Sequence, residues 1–267
     1  MTEFSSLFLS HGAPNMGLHD SPVKQFMSNL GGKYEKPEAI VVCSAHFETD
    51  NTYVVSDPNP EMIYDFRGFE EELYQQDYPA PGHPELARKV IGLLEKAGIP
   101  VSELPNRGFD HGSWVPLALA WPEADIPIVQ VSVDPNGTPE YHYKLGLALS
   151  GLREKGIMII GTGNITHNLQ PLFAIGKDPE LEANIEAWVQ KFLDWFDQQL
   201  LDGNTDNLLN YREAAPFAEE NHPTDEHLLP IFFAMGASGP NYRARKLHSS
   251  SVFGYLAMDA WEFSSNQ

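Results

Sequence analysis

The chain has 267 residues, of which 42% are apolar and 20% charged, as is typical of one globular α/β domain with a substantial core. Its 37 acidic residues outnumber its 17 basic ones, and the net charge of −20 argues against nucleic-acid and membrane partners, whose surfaces are themselves negative. The single cysteine, Cys43, excludes an internal disulfide and a cysteine-rich zinc site, so any metal must be bound by His, Asp or Glu.

Apolar patterning predicts strands that alternate with helices along the chain. Short β-branched runs indicate buried strands, and apolar residues at three- and four-residue spacing indicate helices. In chain order we predict strand Ser6–Leu9, helix Asp20–Leu30, strand Ala39–Cys43, helix Pro84–Ala97, strand Ile126–Val133, helix Pro139–Lys155, strand Ile157–Ile160, helix Leu181–Leu201, a polar loop Asp202–Asn210 and a late strand Ser251–Met258. This alternation predicts an α/β fold with a mostly parallel central sheet flanked by helices.

Neither linkers nor targeting segments interrupt this pattern. The sequence contains no internal repeat and no Ser/Gly-rich linker, so we predict a single domain over residues 1–267. The first residues lack a basic region, and no apolar stretch reaches the roughly 18 residues needed to cross a bilayer. We therefore expect a cytoplasmic protein.

Three histidines follow predicted strands at the same end. His11 and His46 come two and three residues after the first two strands, and His167 follows the Ile157–Ile160 strand through a glycine-containing turn. Because the carboxyl ends of parallel strands meet at one edge, where open α/β folds bind ligands, we expect these side chains to lie close together. Imidazole is a common ligand of zinc and non-haem iron, so the pattern predicts a metal site there. The alternative for each histidine alone is a core or loop residue that only binds backbone.

Two further segments carry histidines that favour the same site. His111 follows Asp110, an acid that can orient the ring or share its proton, although an ordinary Asp-Gly-Ser turn is the alternative. His222 and His227 flank a predicted helix start, with Thr224 as the N-cap. The remaining histidines stand at a helix start or in polar contexts and are predicted to have no function: His19, His83, His142 and His248.

Taken together, these segments resemble one family, the class III extradiol ring-cleaving dioxygenases of the 4,5-DOPA dioxygenase branch. The resemblance covers nearly the whole chain and rests on five motifs in family order: Ser-His-Gly-Ala-Pro at 10–14, Ser-Ala-His-Phe at 44–47, Asp-His-Gly-Ser-Trp at 110–114, Asn-Ile-Thr-His-Asn-Leu at 164–169 and Pro-Thr-Asp-Glu-His at 223–227. It implies that His11, His46 and His227, rather than His222, bind the metal. It further implies that His167 is the acid/base residue and that His111 lines the pocket.

The resemblance also implies the reaction, in which O₂ is inserted into a catechol-type, DOPA-like aromatic ring. One divalent metal per chain is expected, Fe(II) for dioxygenase activity, while a three-histidine site also suits Zn(II) in the protein as isolated. Two other functions remain open: a zinc-dependent hydrolase that uses His167 or Asp110 as the base, and a non-catalytic metal-binding protein of the same fold. Either a monomer or a homodimer fits the sequence.

Aromatic and basic residues complete the predicted pocket. Phe47, Tyr64, Phe66 and Trp114 are candidates for its walls, with packing in the core as the alternative. A substrate carboxylate requires a local positive charge against the overall negative one. The candidates for that charge are Arg67, Arg243, Arg245 and Lys246.

Overall fold

The computed structural model describes residues 3–171 and 183–266. The strands in these ranges are β1 (Ser6–Ser10), β2 (Ala39–Glu48), β3 (Thr52–Val55), β4 (Val101–Leu104), β5 (Ile128–Val133), β6 (Ile157–Gly163), β7 (Tyr242–His248), β8 (Ser251–Val252), β9 (Leu256–Ala257) and β10 (Ala260–Ser265). The helices there are α1 (Pro22–Ser28), α2 (Pro84–Lys96), α3 (His111–Ala120), α4 (Pro139–Leu149), α5 (Ala187–Asp202), α6 (Thr205–Leu209), α7 (Tyr211–Ala214), α8 (Ala218–Asn221) and α9 (Leu229–Ala237).

A central sheet of eight strands runs in the order β4-β3-β5-β2-β6-β1-β10-β7. The four strands at its centre, β5, β2, β6 and β1, are parallel to one another, and β3 is parallel to β4. Antiparallel pairing joins β3 to β5, β1 to β10 and β10 to β7. The predicted α/β fold with a mostly parallel sheet is therefore confirmed.

The central strands are buried on both faces, as a parallel sheet covered by helices requires. All residues of β1, β5 and β6 are buried. Successive side chains alternate between two core clusters: Val41 and Ile159 pack in one, and Ile40, Val42 and Ile160 in the other. Each such side chain contributes about 1.5–3 kcal/mol when buried, so these strands anchor the sheet.

Helix starts follow from local capping chemistry. The side chains of Ser21, Asp110 and Thr138 accept hydrogen bonds from backbone N–H groups in the first turns of α1, α3 and α4. Pro84 and Pro139 occupy first-turn positions in α2 and α4, as predicted, because their missing N–H group has no helical partner there.

The structure corrects several predicted boundaries. β2 continues to Glu48, with a register shift after Cys43, so His46 lies inside a strand. The helix predicted from Pro139 ends at Leu149 and is followed by a tighter 3₁₀ segment, Ser150–Lys155. The first two residues of the predicted helix Leu181–Leu201 lie outside the described residues, and α5 begins at Ala187.

The prediction was wrong in the carboxyl-terminal third. Asp202–Asn210 is not a loop, because α6 forms there and buries Leu208. The single strand predicted over Ser251–Met258 is the short hairpin β8–β9, whose turn residues Phe253 and Gly254 both have positive φ. Four strands of the sheet were not predicted: β3, β4, β7 and β10.

The physical reason that these strands were not predicted is clearest at the edge strand β7. It alternates buried Tyr242 and Ala244 with exposed Arg243 and Arg245, so it lacks a continuous apolar run. Charged residues on an edge strand hinder pairing with other chains.

Among the described residues, no helix combines the length and apolar character needed to cross a bilayer.

Candidate metal centre

Three histidines converge at the carboxyl edge of the central strands. His11 directly follows β1, His46 lies near the end of β2, and His227 precedes α9 by two residues. The Nε2 atom of His46 lies 3.0 Å from Nε2 of His11 and 3.3 Å from Nε2 of His227. One nitrogen of each ring lies within 4.8 Å of the others.

Backbone packing beside β6 fixes the position of His227. The N–H of Asn164 donates to the carbonyl oxygen of His227 at 2.8 Å, and the N–H of His11 donates to the carbonyl oxygen of Gly163 at 3.0 Å. A Cβ atom on Gly163 would stand 2.0 Å from that His227 oxygen, and one on Gly161 would stand 2.0 Å from the oxygen of Pro230. Only glycine allows this approach, so the Gly161-Thr-Gly163 sequence serves to seat the segment that carries His227.

Carboxylates lie behind two of the three rings. Nδ1 of His227 is 2.9 Å from Oε1 of Glu226, and Nδ1 of His46 is 3.5 Å from Oδ2 of Asp65. A carboxylate on Nδ1 favours the tautomer that carries the proton there and leaves an Nε2 lone pair directed at the cluster. Nδ1 of His11 is buried without a hydrogen-bond partner among the described residues.

Burial keeps the three rings neutral. It lowers the pKa of His11 and of His227 well below the usual 6.5, and the neighbouring histidines lower both further. The pKa of His46 falls to about 4, chiefly through burial and then through His111. Neutral imidazoles are the form in which histidine binds metal ions.

This donor set fits a divalent cation. Two Nε2 lone pairs that face each other cannot share a hydrogen bond, whereas a cation between them satisfies both. With metal–nitrogen distances of about 2.1 Å, two ligands of one ion stand about 3.0 Å apart at a right angle and about 3.4 Å apart at the tetrahedral angle. The observed separations of 3.0 and 3.3 Å lie within this range.

His167 and His111 flank the three histidines. The ring of His167 stacks on that of His227, with centroids 3.4 Å apart and planes 9° apart. Burial lowers the pKa of His167 to about 4, against the opposing effect of Glu226. The ring centroid of His111 lies 3.9 Å from that of His46, and its Nδ1 lies 2.9 Å from Oδ1 of Asp65. All five histidines therefore belong to one cluster.

A cavity of about 450 Å³ opens onto this cluster. It is lined by Gly12, Ala13, Pro14, Asn15, His46, Phe66, Arg67, Phe69, His111, Asn164, His167, Leu169, His227, Phe253 and Leu256. Phe66 is the only one of the four predicted wall aromatics in this lining. Phe47 is buried beneath the guanidinium of Arg107, 3.9 Å from its ring.

Asp65 and Glu226 are the site residues that sequence reasoning missed. Asp110 was expected to orient His111, but it caps α3, accepts a hydrogen bond from the Ser44 hydroxyl at 2.6 Å and pairs with Arg107. Asp65 holds the His111 ring instead, from 46 positions away in sequence. Only Glu226 had a local signal, its position next to His227.

His222 lies apart from the cluster. It is fully buried, and its Nε2 donates to the carbonyl oxygen of Ile165 at 2.7 Å. Burial lowers its pKa to about 3. Of the two histidines in this segment, His227 is therefore the one whose ring nitrogen faces His46.

The four histidines predicted to have no function lie outside the three-histidine group. His83 caps α2, His19 bonds to Glu70 at the surface, and His248 stacks on Phe26. His142 is wholly buried, contrary to the exposed context expected for it. Its Nδ1 donates to the carbonyl oxygen of Thr138, and its Nε2 accepts from a backbone N–H.

Comparison with known proteins shows the family to which the chain is similar. The family described as the catalytic LigB subunit of aromatic ring-opening dioxygenase matches residues 7–258. A Beta vulgaris protein named 4,5-DOPA dioxygenase extradiol is 41% identical over 265 residues, which cover 97% of this chain and 96% of the relative. An Escherichia coli (strain K12) protein of the same name is 38% identical over 240 residues, which cover 88% of this chain and 86% of the relative.

A solved structure shares the fold. The crystal structure of the uncharacterized protein JW3007 from Escherichia coli K12 matches with a TM-score of 0.78 at 32% sequence identity, and the match covers 97% of this chain and 99% of that chain.

The fold and the histidine cluster are those of a metal-dependent, aromatic ring-opening oxygenase. The chain belongs to the LigB family of extradiol dioxygenases. The resemblance drawn from the five motifs is confirmed, and with it the class of enzyme, an oxidoreductase that cleaves aromatic rings with O₂.

Proposed function

We propose that His11, His46 and His227 bind one Fe(II) ion and that the enzyme opens the ring of a catechol similar to 3,4-dihydroxyphenylalanine. The main support for this proposal is that three Nε2 atoms converge beside a cavity of about 450 Å³. Nε2 of His46 lies 3.0 Å from that of His11 and 3.3 Å from that of His227. The name of the relatives, 4,5-DOPA dioxygenase extradiol, supports a substrate of this kind. We take residues 1–267 as one catalytic domain. The cytoplasmic location and the monomeric or homodimeric state stay predictions.

Each histidine outside the ligand set has its own role in this proposal. When bound, Fe(II) lowers the pKa of catechol hydroxyls and relays electrons from the ring to O₂. His167 accepts and returns a proton at a ring nitrogen, because neither of its ring nitrogens has a hydrogen-bond partner among the described residues. His111 is held by Asp65 through both its backbone N–H and its Nδ1, which leaves Nε2 for the substrate.

The cavity lining supports a single aromatic ring as the substrate. Phe66, Phe69, Leu169, Phe253 and Leu256 contribute apolar side chains to this lining, and Phe66 packs edge-on against His111. Apolar walls exclude water and hold a planar ring, while the few polar groups orient it. A catechol combines both requirements, since one edge of its ring is polar and the remainder is apolar.

Fe(II) is the metal we propose for turnover, and Zn(II) is an alternative occupant of the same ligands. Zinc has no redox chemistry and cannot relay electrons to O₂, whereas three histidine ligands suit either ion. A zinc-loaded enzyme should therefore bind catechol without cleaving it.

The test is reconstitution of chelator-treated enzyme under nitrogen with Fe(II) or Zn(II), followed by 3,4-dihydroxyphenylalanine and air. We expect oxygen uptake and a yellow ring-opened product with Fe(II) alone. Hydrolysis of ester or amide probes that requires Zn(II), without oxygen uptake under Fe(II), would favour the hydrolase. Tight metal binding with neither activity would favour a non-catalytic protein, and both of these outcomes would contradict the proposal.

A further inference from the structure

Among the described residues that line the cavity, one carries a formal positive charge, Arg67. The other basic residues considered from the sequence are engaged or remote from it. Lys246 pairs with Asp197 and Asp259, and Arg245 pairs with Glu262. Arg243 lies exposed on the edge strand β7. Arg67 is therefore the one of the four that faces the cavity.

Arg67 has no ion pair and no hydrogen bond among the residues that the structure describes. Its side chain is exposed, in a chain with 37 acidic and 17 basic residues. The nearest acids in sequence are engaged elsewhere: Asp65 holds His111, and Glu70 binds Asn15 and His19. No acidic residue lines the described part of the cavity. Within the described ranges, no acceptor therefore engages the guanidinium donors of Arg67.

Neighbouring contacts place this wall next to the histidine cluster. The ring of Phe66, which precedes Arg67, packs edge-on against His111 with centroids 5.7 Å apart. His111 in turn lies against His46, with centroids 3.9 Å apart. A substrate ring at the histidines therefore has its substituents within reach of the segment that carries Arg67.

We propose that Arg67 binds an anionic substituent of the substrate, so that the enzyme selects catechols whose side chain carries a carboxylate. A guanidinium presents paired N–H donors that match a carboxylate, and the surrounding negative charge otherwise disfavours an anion. This inference rests on the proposed function, because it places a catechol in the cavity. Arg67 acts here as a specificity-determining residue and takes no part in the chemistry.

The experiment measures dissociation constants by calorimetry under nitrogen, with Fe(II)-loaded enzyme and two ligands of similar shape. The first ligand is 3,4-dihydroxyphenylpropionate, and the second is uncharged 4-ethylcatechol. In Arg67→Gln we expect the first constant to rise by about 10-fold or more, since a charge-assisted hydrogen bond is lost, and the second to stay within about twofold. Arg67→Lys should recover part of the loss, and Arg243→Gln is the matched control.

Equal changes for both ligands, or no change for either, would overturn the role of Arg67. Turnover of the same two catechols in air is followed separately. Wild-type enzyme that binds 3,4-dihydroxyphenylpropionate more tightly than Arg67→Gln, yet opens no ring, would support Arg67 as the anion-binding residue and refute the proposed function. Ring opening, combined with equal binding of 3,4-dihydroxyphenylpropionate by wild type and Arg67→Gln, would support the proposed function and refute the role of Arg67.

Discussion

Nε2 of His11 lies 3.0 Å from Nε2 of His46, and burial keeps both rings neutral. Two neutral nitrogens at this distance need a cation between them if both lone pairs face inward. Removal of either ring would take one ligand from the proposed three-histidine site, so we expect the protein to lose its metal.

We expect His11→Ala to retain less than about a tenth of the wild-type metal after dialysis, as measured by elemental analysis. The exposed His19 provides the control, because His19→Ala removes a histidine outside the cluster and should keep the metal. Full metal content in His11→Ala would remove His11 from the ligand set.

His167 should matter for turnover more than for metal binding. His167→Phe keeps a ring that can stack on His227 but cannot carry a proton. We expect kcat to fall by about 10²-fold or more, because proton transfer by a positioned imidazole typically contributes about 10² to 10⁴ in rate. Metal content should equal that of wild type. Unchanged kcat would show that His167 is not the acid/base residue.

Glu226 should tune the metal affinity through His227. Its Oε1 lies 2.9 Å from Nδ1 of His227, so the carboxylate orients the ring and makes it more basic. We expect Glu226→Ala to weaken metal binding by about 10- to 100-fold in a competition assay with a chelator. The neighbouring exposed Glu219→Ala is the control. Equal affinities in the two variants would contradict this positioning role.

Acid should destabilise the protein partly through His142, which lies away from the metal site. Burial lowers its pKa to about 4, below the ordinary value of 6.5. A group that is harder to protonate in the folded state contributes stability above pH 6.5 and loses it as the pH falls towards 4.

In metal-free protein the free energy of unfolding should therefore fall less steeply between pH 6.5 and 4.5 in His142→Gln than in wild type. The expected difference approaches about 1.4 kcal/mol per pH unit, the contribution of one proton. Urea unfolding at several pH values measures it, and parallel pH profiles would show that His142 is not a source of acid sensitivity.

Arg153 should stabilise the fold without any effect on the site. Its buried guanidinium donates to the carbonyl oxygens of Phe4, Ala237 and Ser238 and pairs with Glu3. Arg153→Met removes the side-chain donor to these carbonyls and leaves Glu3 without its partner, so we expect a loss of about 3 kcal/mol. Urea unfolding measures this loss, with the exposed Lys155→Met as control. A loss below about 1 kcal/mol would contradict the account.

Sequence patterns were most informative where one strand or one turn carries the signal. The buried runs around Leu7, Val41 and Ile159 are continuous and apolar, and each leads into a histidine motif, so the sheet centre and the convergence of histidines at its edge could both be predicted. Edge strands such as β7 carry charged residues on one face, and their pairing depends on partners that are distant in sequence.

The candidate site likewise depends on contacts between residues that are distant in sequence. His227 could be chosen over His222 only by family resemblance, because nothing local distinguishes the ring that faces His46 from the ring that binds the carbonyl of Ile165. Asp65 could not be found, since His111 lies 46 positions further along the chain and the two meet only after the intervening segment folds back. Adjacency is not decisive either: Glu226 does hold the ring of its neighbour His227, whereas the carboxylate of Asp110 is used to cap α3.

The central claim, Fe(II)-dependent insertion of O₂ into a catechol at the three histidines, is tested most directly by isotope labelling. Iron-loaded enzyme is given 3,4-dihydroxyphenylalanine under ¹⁸O₂, and the product is trapped early and analysed by mass spectrometry. We expect a ring-opened product in which both new oxygen atoms come from O₂, and none from His11→Ala treated in the same way. An unlabelled product, or labelled product formed equally well by His11→Ala, would contradict the account.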